Sequence, residues 1–207
     1  MFELKDNDLL FAKVKPNAII PTKEKENAGY DIYACFDEDF IVIPAHETRL
    51  IPTGIAATVS DKYYLQVHER GSTGSKGMKY GAGVVDSSYR GEIFICINNV
   101  NDNDIVISKL NEKELIEKYA KSSDDLFVFD DDEVVLEIEY NGNEKYVNKI
   151  YIINGKFEST IIYSYEKAIA QLVVHEVPVM NVQEITYEDL LKIPSKRGIG
   201  ALGSSGK

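Results

Sequence analysis

The chain has 207 residues and a formal net charge of −11, from 34 acidic and 23 basic side chains. So acidic a surface repels a phosphate backbone, which argues against a general nucleic-acid-binding protein. The length suits one domain, or one domain with a large insertion, around a buried core. The opening MFELKDNDLL lacks the basic stretch and apolar run of a secretory signal, and no window approaches a membrane span. We therefore expect a cytoplasmic protein that does not contact membranes.

Short runs of β-branched and aromatic residues recur along the chain, separated by Gly, Pro, Asn and Asp. The predicted strands are Leu9–Val14, Phe40–Ile43, Gly54–Val59, Tyr63–Val67, Ile93–Asn98 and Ile169–Val174. This pattern predicts an all-β sandwich or barrel. The segment Gly81–Ile93 is predicted to be a hairpin on a buried sheet, because apolar residues flank its glycines.

Residues 104–159 are predicted to form a folded, acidic insertion of mixed α/β structure. Residues 101–160 carry 15 acidic and 7 basic side chains, a net charge of −8 out of −11. Helical periodicity is clear only at Asn111–Lys121, and the runs that follow are separated by DDD, NGN and NG, as in a hairpin meander. The core would then comprise residues 1–103 and 160–207, with a flexible arm at 196–207.

Cysteines and histidines are few and scattered. Cys35 and Cys96 lie 61 positions apart without a CxxC motif, which predicts two small buried apolar side chains rather than a disulfide framework or metal site. The three histidines show no zinc-binding spacing.

The stretch GAGVVDSSYRGEI, from Gly81 to Ile93, concentrates groups that suit a nucleotide pocket. Its glycines let main-chain amides approach a ligand closely. The Asp86 carboxylate at a turn can order and deprotonate a water, and the Tyr89 ring can lie over a sugar or base. Asp, Ser and Gly are also ordinary turn formers, so a solvated turn is the alternative interpretation.

Three further blocks combine polar side chains with neighbouring glycines or apolar residues. AGYDIYA places Asp31 on a strand that follows a glycine, where the alternative is a surface acid on an edge strand. RGSTGSKG combines Arg70 with hydroxyls and flexible backbone, as in a phosphate-binding loop, although a flexible loop with incidental charges has the same composition. IAQL buries the Gln171 amide, which needs a backbone, water or ligand partner.

The C-terminal dozen, KRGIGALGSSGK, is rich in Gly and Ser. We expect such a segment to be flexible unless a ligand orders it, and a triphosphate that contacts Arg197, Ser204 and Ser205 is a suitable one. It is not a P-loop, because the GxxxxGK[ST] spacing is absent.

Taken in this order, the five blocks resemble those of the trimeric dUTPase family, across nearly all of the chain outside the insertion. GVVDSSYRGEI matches the family's Gly-Val-Ile-Asp-x-x-Tyr-Arg-Gly pattern almost position by position. The resemblance implies a distorted jelly roll, a homotrimer with pockets at subunit junctions, and Mg²⁺-assisted hydrolysis of dUTP to dUMP and pyrophosphate. Magnesium and the arginines would offset charge while water attacks the α-phosphorus.

The resemblance also implies roles for individual residues. Asp86 would activate the water, Tyr89 would pack on the deoxyribose, and backbone at Gly83 and Val85 would read the uracil. Asp31 would lie in the outer shell of the Mg²⁺. Phosphate oxygens or the attacking water would be contacted by Arg70, Ser72, Gln171, Arg197, Ser204 and Ser205, while Leu202 and Gly203 belong to the tail that closes over a neighbouring subunit's pocket.

Three positions depart from the family's pattern. Gly71 stands where a serine is usual, Ala168 where a basic residue is common, and Leu202 where an aromatic ring stacks on uracil. Leucine offers no π-face, so we expect weaker closure.

Two other functions remain open from the sequence. The dCTP deaminases share the fold and the arginine-serine loop, but they need a glutamate proton relay at the base and lack the Asp-x-x-Tyr-Arg-Gly pattern. A regulatory protein whose acidic insertion binds a protein partner is the other alternative. Phage-type members of the family carry an insertion at this place, although an insertion that only extends the sheet is equally consistent with the sequence.

Overall fold

The computed structural model describes residues 4–115, 118, 128–129, 133–141, 145–153, 156–158 and 160–199, and it describes 128–158 at the level of the backbone. The chain divides into two compact units, Met1–Val177 and Pro178–Lys207. The prediction of an all-β fold is confirmed, since strands dominate the first unit and the helices of the described residues are short.

The described strands and helices follow one another in this order: β1 (Leu9–Lys13), β2 (Gly29–Ile32), β3 (Phe40–Ile43), β4 (Thr48–Pro52), β5 (Ile55–Val59), β6 (Tyr63–His68), α1 (Gly71–Gly74), β7 (Met78–Gly81), β8 (Val84–Val85), β9 (Phe94–Asn99), β10 (Asp104–Ser108), α2 (Glu112–Leu115), β11 (Val128–Phe129), β12 (Glu133–Asn141), β13 (Lys145–Ile153), β14 (Lys156–Glu158), β15 (Thr160–Ser164), β16 (Ala170–Glu176) and α3 (Tyr187–Lys192). All six strands predicted from the sequence are present, with ends that differ by at most two residues.

Small sheets surround one hydrophobic core in the first unit. Their orders are β1-β5, β15-β10-β3, β2-β16-β6-β8 and β4-β9-β7. Alternate residues of β5 and β9 are buried and their neighbours are not, so each strand packs one face against the core. The core is rich in isoleucine: Ile43, Ile51, Ile95, Ile97 and Ile107 are all fully buried.

The predicted hairpin at Gly81–Ile93 is confirmed in part: β7 and β9, which flank the segment, pair antiparallel and set Gly81 opposite Cys96, but Val84 and Val85 do not pair with Ile93 and Phe94. β8 pairs with β6, whereas β9 pairs with β4 and β7, so the segment between β8 and β9 crosses from one sheet to another. The cause is a pair of bonds at Ile93, whose amide donates to the Ile55 carbonyl at 2.8 Å while its own carbonyl accepts from Thr53 at 2.6 Å. Val84 pairs with Gln66 of β6, and its side chain is 58% exposed.

The span assigned to the insertion starts inside the core. β10 pairs antiparallel with β3 and parallel with β15, and Ile105 and Val106 are fully buried. The chain leaves this sheet after Ser108 and returns at Thr160. Between these points β11, β12, β13 and β14 form an antiparallel sheet, as a hairpin meander requires.

The predicted helix is described only in its first turn, and both predicted thiols are free. α2 covers Glu112–Leu115, and the rest of the predicted helix, apart from residue 118, lies outside the described residues. Both cysteines are free, with Cys35 buried and Cys96 half-buried. None of the helices in the described part of the chain is both long and apolar enough to cross a membrane.

Candidate functional site

Three polar residues lie side by side in the sheet formed by β2, β16, β6 and β8. β16 lies between β2 and β6, and its register sets Gln171 opposite Asp31 on one side and opposite His68 on the other. Ala170 and Leu172 on the same strand are fully buried. Because side chains alternate along a strand, the polar residues between them must face away from the core.

The Arg70 guanidinium forms a bidentate ion pair with Asp31. Its Nε donates to Oδ1 at 2.9 Å and its Nη2 donates to Oδ2 at 3.1 Å, and each side chain is about one-third exposed, at 31% and 34%. Its Nη1 donates to the Ala168 carbonyl at 3.3 Å and to the Ser72 hydroxyl at 3.4 Å. Such a planar fork is held in one orientation.

A tight turn presents Arg70 and the residues that follow it. α1 begins directly after Arg70, and the buried Thr73 hydroxyl accepts from the Arg70 amide and donates to its carbonyl, both at 3.1 Å. Gly71 and Ser72 stay exposed at the start of this turn. The RGST sequence therefore folds into a local loop whose one inward side chain anchors it.

Two phenols hold the segment that leads into β16. Tyr163 donates to the Ala168 carbonyl at 2.8 Å, and Tyr80 donates to the Ile169 carbonyl. Burial raises the pKa of the Tyr80 phenol, which keeps it protonated as a donor. These bonds, together with that from Arg70, set where Gln171 enters the sheet.

Gln171 is itself held in place. Its Nε2 donates to the Glu69 carbonyl at 2.8 Å. On the neighbouring strand, a Cβ added to Gly29 would lie 2.8 Å from the Gln171 Cβ and 2.9 Å from its Cδ, so only glycine leaves room for this side chain. Neither Gly29 nor Glu69 was predicted from the sequence to belong to the site, although the glycine of AGYDIYA was a signal for Gly29.

A cavity of about 550 Å³ opens over these groups. Its lining consists of Glu26, Asn27, Ala28, Gly29, Asp31, Arg70, Gly71, Ser72 and Gln171. Four residues predicted from the sequence, Asp31, Arg70, Ser72 and Gln171, are thus brought together. The volume and the polar lining suit a small polar ligand.

The Asp86 segment is a second ordered element. The Gly83 carbonyl accepts from the Val67 amide at 2.7 Å, and a Cβ on Gly83 would lie 3.0 Å from the Val67 carbonyl oxygen, so a glycine is needed for this approach to β6. Ala82 before it has φ of 48°, a left-handed conformation. The Tyr89 amide donates to the Asp86 carbonyl at 3.0 Å, which closes a turn with the Asp86 side chain exposed.

Residues that the sequence analysis did not single out anchor this turn. The Thr58 hydroxyl donates to the Ser87 carbonyl at 3.1 Å, and the Gly54 amide donates to the Glu92 carboxylate at 2.7 Å. Arg90 folds back on its own turn, where its Nη1 donates to the Ser87 carbonyl at 2.6 Å. Glu92 was visible as the acid that follows the Tyr-Arg-Gly triplet.

Within one chain, Asp86 and Gln171 lie apart. Gln171 on β16 pairs with His68 of β6, whereas Val85 on β8 pairs with Leu65 at the opposite edge of β6. Asp86 follows Val85 and therefore lies level with Tyr64, four positions along β6 from His68. Four positions along a strand and two strand spacings place the backbones of Asp86 and Gln171 roughly 16 Å apart. A single copy of the chain therefore does not bring the predicted water-activating acid to the polar cavity.

The predicted tail residues belong to the second unit. Arg197 is exposed, and its amide donates to the Ser195 hydroxyl at 3.3 Å. Leu202, Gly203, Ser204 and Ser205 lie outside the described residues. The same unit contains α3, capped by the Thr186 hydroxyl, and its exposed apolar side chains include Val179, Met180, Val182, Ile185, Leu190, Leu191 and Ile193.

The Asp31 carboxylate suits an outer-shell contact to Mg²⁺ better than direct ligation. Among the described residues there is no group of three or more His, Cys, Asp or Glu side chains that could hold a metal ion. Each Asp31 oxygen accepts from Arg70 and, as a carboxylate oxygen, keeps a further acceptor position. Mg²⁺ usually retains several waters, which can donate to such an oxygen.

Comparison with solved structures shows the same fold in phage dUTPases. A dUTPase variant of Staphylococcus bacteriophage 80alpha with dUpNHpp superposes with a TM-score of 0.62 at 21% identity, covering 97% of this chain and 99% of that one. The dUTPase of phage phi11 of S. aureus, described as carrying a species-specific insert, gives a TM-score of 0.53 at 19% identity over 86% of this chain and 96% of that one.

Sequence comparison adds the family. The dUTPase family model matches residues 15–112. The deoxyuridine 5'-triphosphate nucleotidohydrolase of Leptospira interrogans is 32% identical over 99 residues, which span 46% of this chain and 68% of that protein. The cowpox virus protein of the same name is 31% identical over 138 residues, 60% of this chain and 92% of the viral protein. The motifs and the fold of this chain, together with these relatives, place it in the dUTPase family.

Proposed function

We propose that this protein hydrolyses dUTP to dUMP and pyrophosphate. The observation that carries this proposal is the cavity in which Asp31, Arg70, Ser72 and Gln171 converge, in a chain that belongs to the dUTPase family. The cavity offers a guanidinium, a hydroxyl and an amide to a polyanion. Arg70 contributes electrostatic stabilisation because Asp31 and Ala168 hold it in place before the substrate arrives.

The turn at Asp86 supplies the nucleophile and reads the nucleoside. The exposed Asp86 carboxylate orders a water for in-line attack on the α-phosphorus and accepts its proton. Backbone at Gly83 and Val85 reads the uracil edge, and the Tyr89 ring packs on the deoxyribose. At the other end of the substrate, Arg197, Ser204 and Ser205 contact the phosphates, with Leu202 and Gly203 in the closing tail.

Magnesium would be held at this site through Asp31, whose remaining acceptor positions would accept hydrogen bonds from the waters of the ion. Bound with the triphosphate, Mg²⁺ would neutralise part of the phosphate charge. The contribution of the chain is to orient the hydrated ion through Asp31 and to keep Asp31 itself oriented through Arg70.

The complete site requires more than one copy of the chain. Asp86 and Gln171 lie roughly 16 Å apart along one sheet, so the acid of one subunit must serve the phosphate cavity of another. A homotrimer with closed symmetry provides three equivalent sites of this kind. The many exposed apolar side chains of residues 178–199 also favour burial against another subunit.

The first experiment measures pyrophosphate release from each deoxynucleoside triphosphate, with and without Mg²⁺. We expect release from dUTP alone, dependent on Mg²⁺, and abolished in Asp86→Asn while nucleotide binding is kept. Ammonia released from dCTP would instead indicate deaminase activity. Full turnover by Asp86→Asn would refute the assigned role of this acid.

A second experiment tests the shared site. Asp86→Asn and Gln171→Ala subunits, each inactive alone, are co-expressed in equal amounts. If every site combines two subunits, random assembly restores about one quarter of the wild-type sites, because half of the acids meet half of the intact amides. Activity that stays at the level of the single variants would contradict sharing.

The insertion supports a second candidate function, binding of a protein partner. β11, β12, β13 and β14 form a sheet of their own, and none of these strands pairs with the core strands among the described residues. Solved dUTPases of phage 80alpha are described as controlling the transfer of virulence genes, which concerns that phage.

Deletion of the insertion separates the two roles. β10 belongs to the core sheet and runs parallel to β15, so the deletion must begin after Ser108 and end before Thr160. A Gly/Ser linker of about ten residues, which spans roughly 17 Å on average, replaces the deleted residues. Intact hydrolysis after replacement of residues 121–158 would support a separate role for the insertion, whereas loss of trimer or of activity would indicate a structural one.

A further inference from the structure

The Tyr89 ring packs against the backbone of Gly91. A Cβ built on Gly91 would lie 2.6 Å from the Tyr89 Cζ and 3.1 Å from its Cε2, and closer still to the phenol oxygen. The far end of the ring therefore rests directly on the Gly91 backbone. Tyr89 remains 46% exposed, so this contact leaves much of the ring open to a ligand.

Glu92 holds the same ring at its hydroxyl and connects it to the core. The Tyr89 phenol donates to the Glu92 carbonyl at 3.0 Å, and the Glu92 carboxylate accepts from the Gly54 amide at 2.7 Å. Gly54 has φ of 64° and is packed so closely against Ala18 and Cys35 that an added Cβ would lie 2.8 and 2.9 Å from their side chains. The anchor of the ring is thus a rigid, buried turn.

We infer that Gly91 and Glu92 are positioning residues that set the place of the Tyr89 ring and thereby the preference for 2'-deoxyribose over ribose. This inference rests on the proposed function, in which the ring packs on the sugar. A planar ring excludes a 2'-hydroxyl only if it cannot retreat. Here the backbone of Gly91 packs against the ring, and the hydrogen bond from the Tyr89 hydroxyl to the Glu92 carbonyl keeps the side chain from rotating into another position.

The first test is Gly91→Ala. The added methyl group meets the far end of a flexible side chain, so the ring moves while the fold is kept. We expect the ratio of kcat/KM for dUTP to kcat/KM for UTP to fall about ten-fold, since discrimination by a fitted pocket is of this order or larger. Most of the change should appear in KM for dUTP and in new activity toward UTP.

Ser88→Ala is the matched control, because it alters an exposed side chain one position before Tyr89 in the same turn. We expect its ratio to equal that of the wild type. An unchanged ratio in Gly91→Ala, with thermal unfolding and turnover of dUTP like the wild type, would overturn the inference.

The second test compares Glu92→Ala with Glu92→Gln. Glutamine keeps an oxygen that can accept from the Gly54 amide, whereas alanine removes it. We expect the ratio to fall in Glu92→Ala and to return toward the wild-type value in Glu92→Gln. Equal losses in both variants would show that the charge of Glu92, and not its tether, matters, which contradicts the inference.

Failure of this inference differs from failure of the proposed function. If the wild-type protein hydrolyses dUTP but not UTP and the variants discriminate as it does, the inference alone is wrong. If the wild-type protein does not hydrolyse dUTP, the proposed function is wrong, and the inference falls with it.

Discussion

Gly29→Ala is expected to damage both the stability and the activity of this protein. Gly29 on β2 and Gln171 on β16 lie on neighbouring paired strands, and the added Cβ would be 2.8 Å from the Gln171 Cβ and 2.9 Å from its Cδ. The Gln171 Cβ is bound to the backbone, so rotation of the side chain cannot relieve the first contact. Either the strands separate or Gln171 leaves its place.

The size of the effect follows from two contributions. Overpacking of a tightly fitted contact costs about 1–3 kcal/mol. Loss of the bond from Gln171 to the Glu69 carbonyl costs about 1 kcal/mol more. The free energy of unfolding should therefore fall by about 2–4 kcal/mol, which at about 2–4 °C per kcal/mol for a chain of this size lowers Tm by about 4–16 °C.

The activity should fall as well, because Gln171 faces the phosphate cavity. A displacement of about 1 Å in a positioning group reduces turnover by about 100-fold. Thermal unfolding and pyrophosphate release from dUTP measure the two effects on the same samples.

A double-mutant cycle tests the reasoning. Gln171→Gly removes the three atoms that the new methyl group would meet, so in that background Gly29→Ala should cost less than about 1 kcal/mol of unfolding free energy. If Gly29→Ala costs as much in the Gln171→Gly background as in the wild type, the clash with Gln171 is not its cause.

Three further predictions concern the core, the pH dependence and the tail. Tyr80→Phe removes the donor to the Ile169 carbonyl and should lower the free energy of unfolding by about 1–2 kcal/mol. Burial raises the pKa of Tyr80 above the unfolded value of about 10, so the stabilisation by this phenol is complete below that pH and is lost as the pH rises further. A Tyr80→Phe variant whose stability falls equally steeply at alkaline pH would contradict this. Asn99 is 1% exposed and donates to three backbone carbonyls, so Asn99→Ala should lower the free energy of unfolding by about 3 kcal/mol or more. The control, Asn98→Ala, should lower it much less. Equal shifts of Tm in the two variants would argue against a stabilising role of these buried hydrogen bonds. Leu202→Phe should lower KM for dUTP by supplying a π-face to the uracil, and an unchanged or higher KM would count against stacking.

Much of the β architecture was predictable from local pattern. Buried residues alternate with more exposed ones in β5, β6 and β9, and this period-2 alternation has a direct physical cause in the pleat of a strand. Four of the residues that line the cavity, Asp31, Arg70, Ser72 and Gln171, were also singled out from the sequence, because they lie in short blocks that resemble those of one family. That resemblance carried the prediction of the site.

Pairing between strands was not predictable in the same way. Within Gly81–Ile93, the expected pairing of Val84 and Val85 with Ile93 and Phe94 is absent, because Val84 and Val85 pair with β6 while Ile93 binds Thr53 and Ile55, about forty residues earlier. The sequence shows which residues suit a turn. It does not show which distant carbonyl will accept from them.

The order of residues along the chain identifies which chemical groups are present: an acid beside an aromatic ring, a guanidinium beside hydroxyls, and an amide in an apolar strand. The folded chain adds that Arg70 pairs with Asp31, that Gly29 makes room for Gln171, and that Asp86 lies too far from Gln171 for one copy to suffice. Local sequence sets the direction of a side chain relative to its own strand, whereas strand register, which depends on the whole core, sets which side chains lie next to each other.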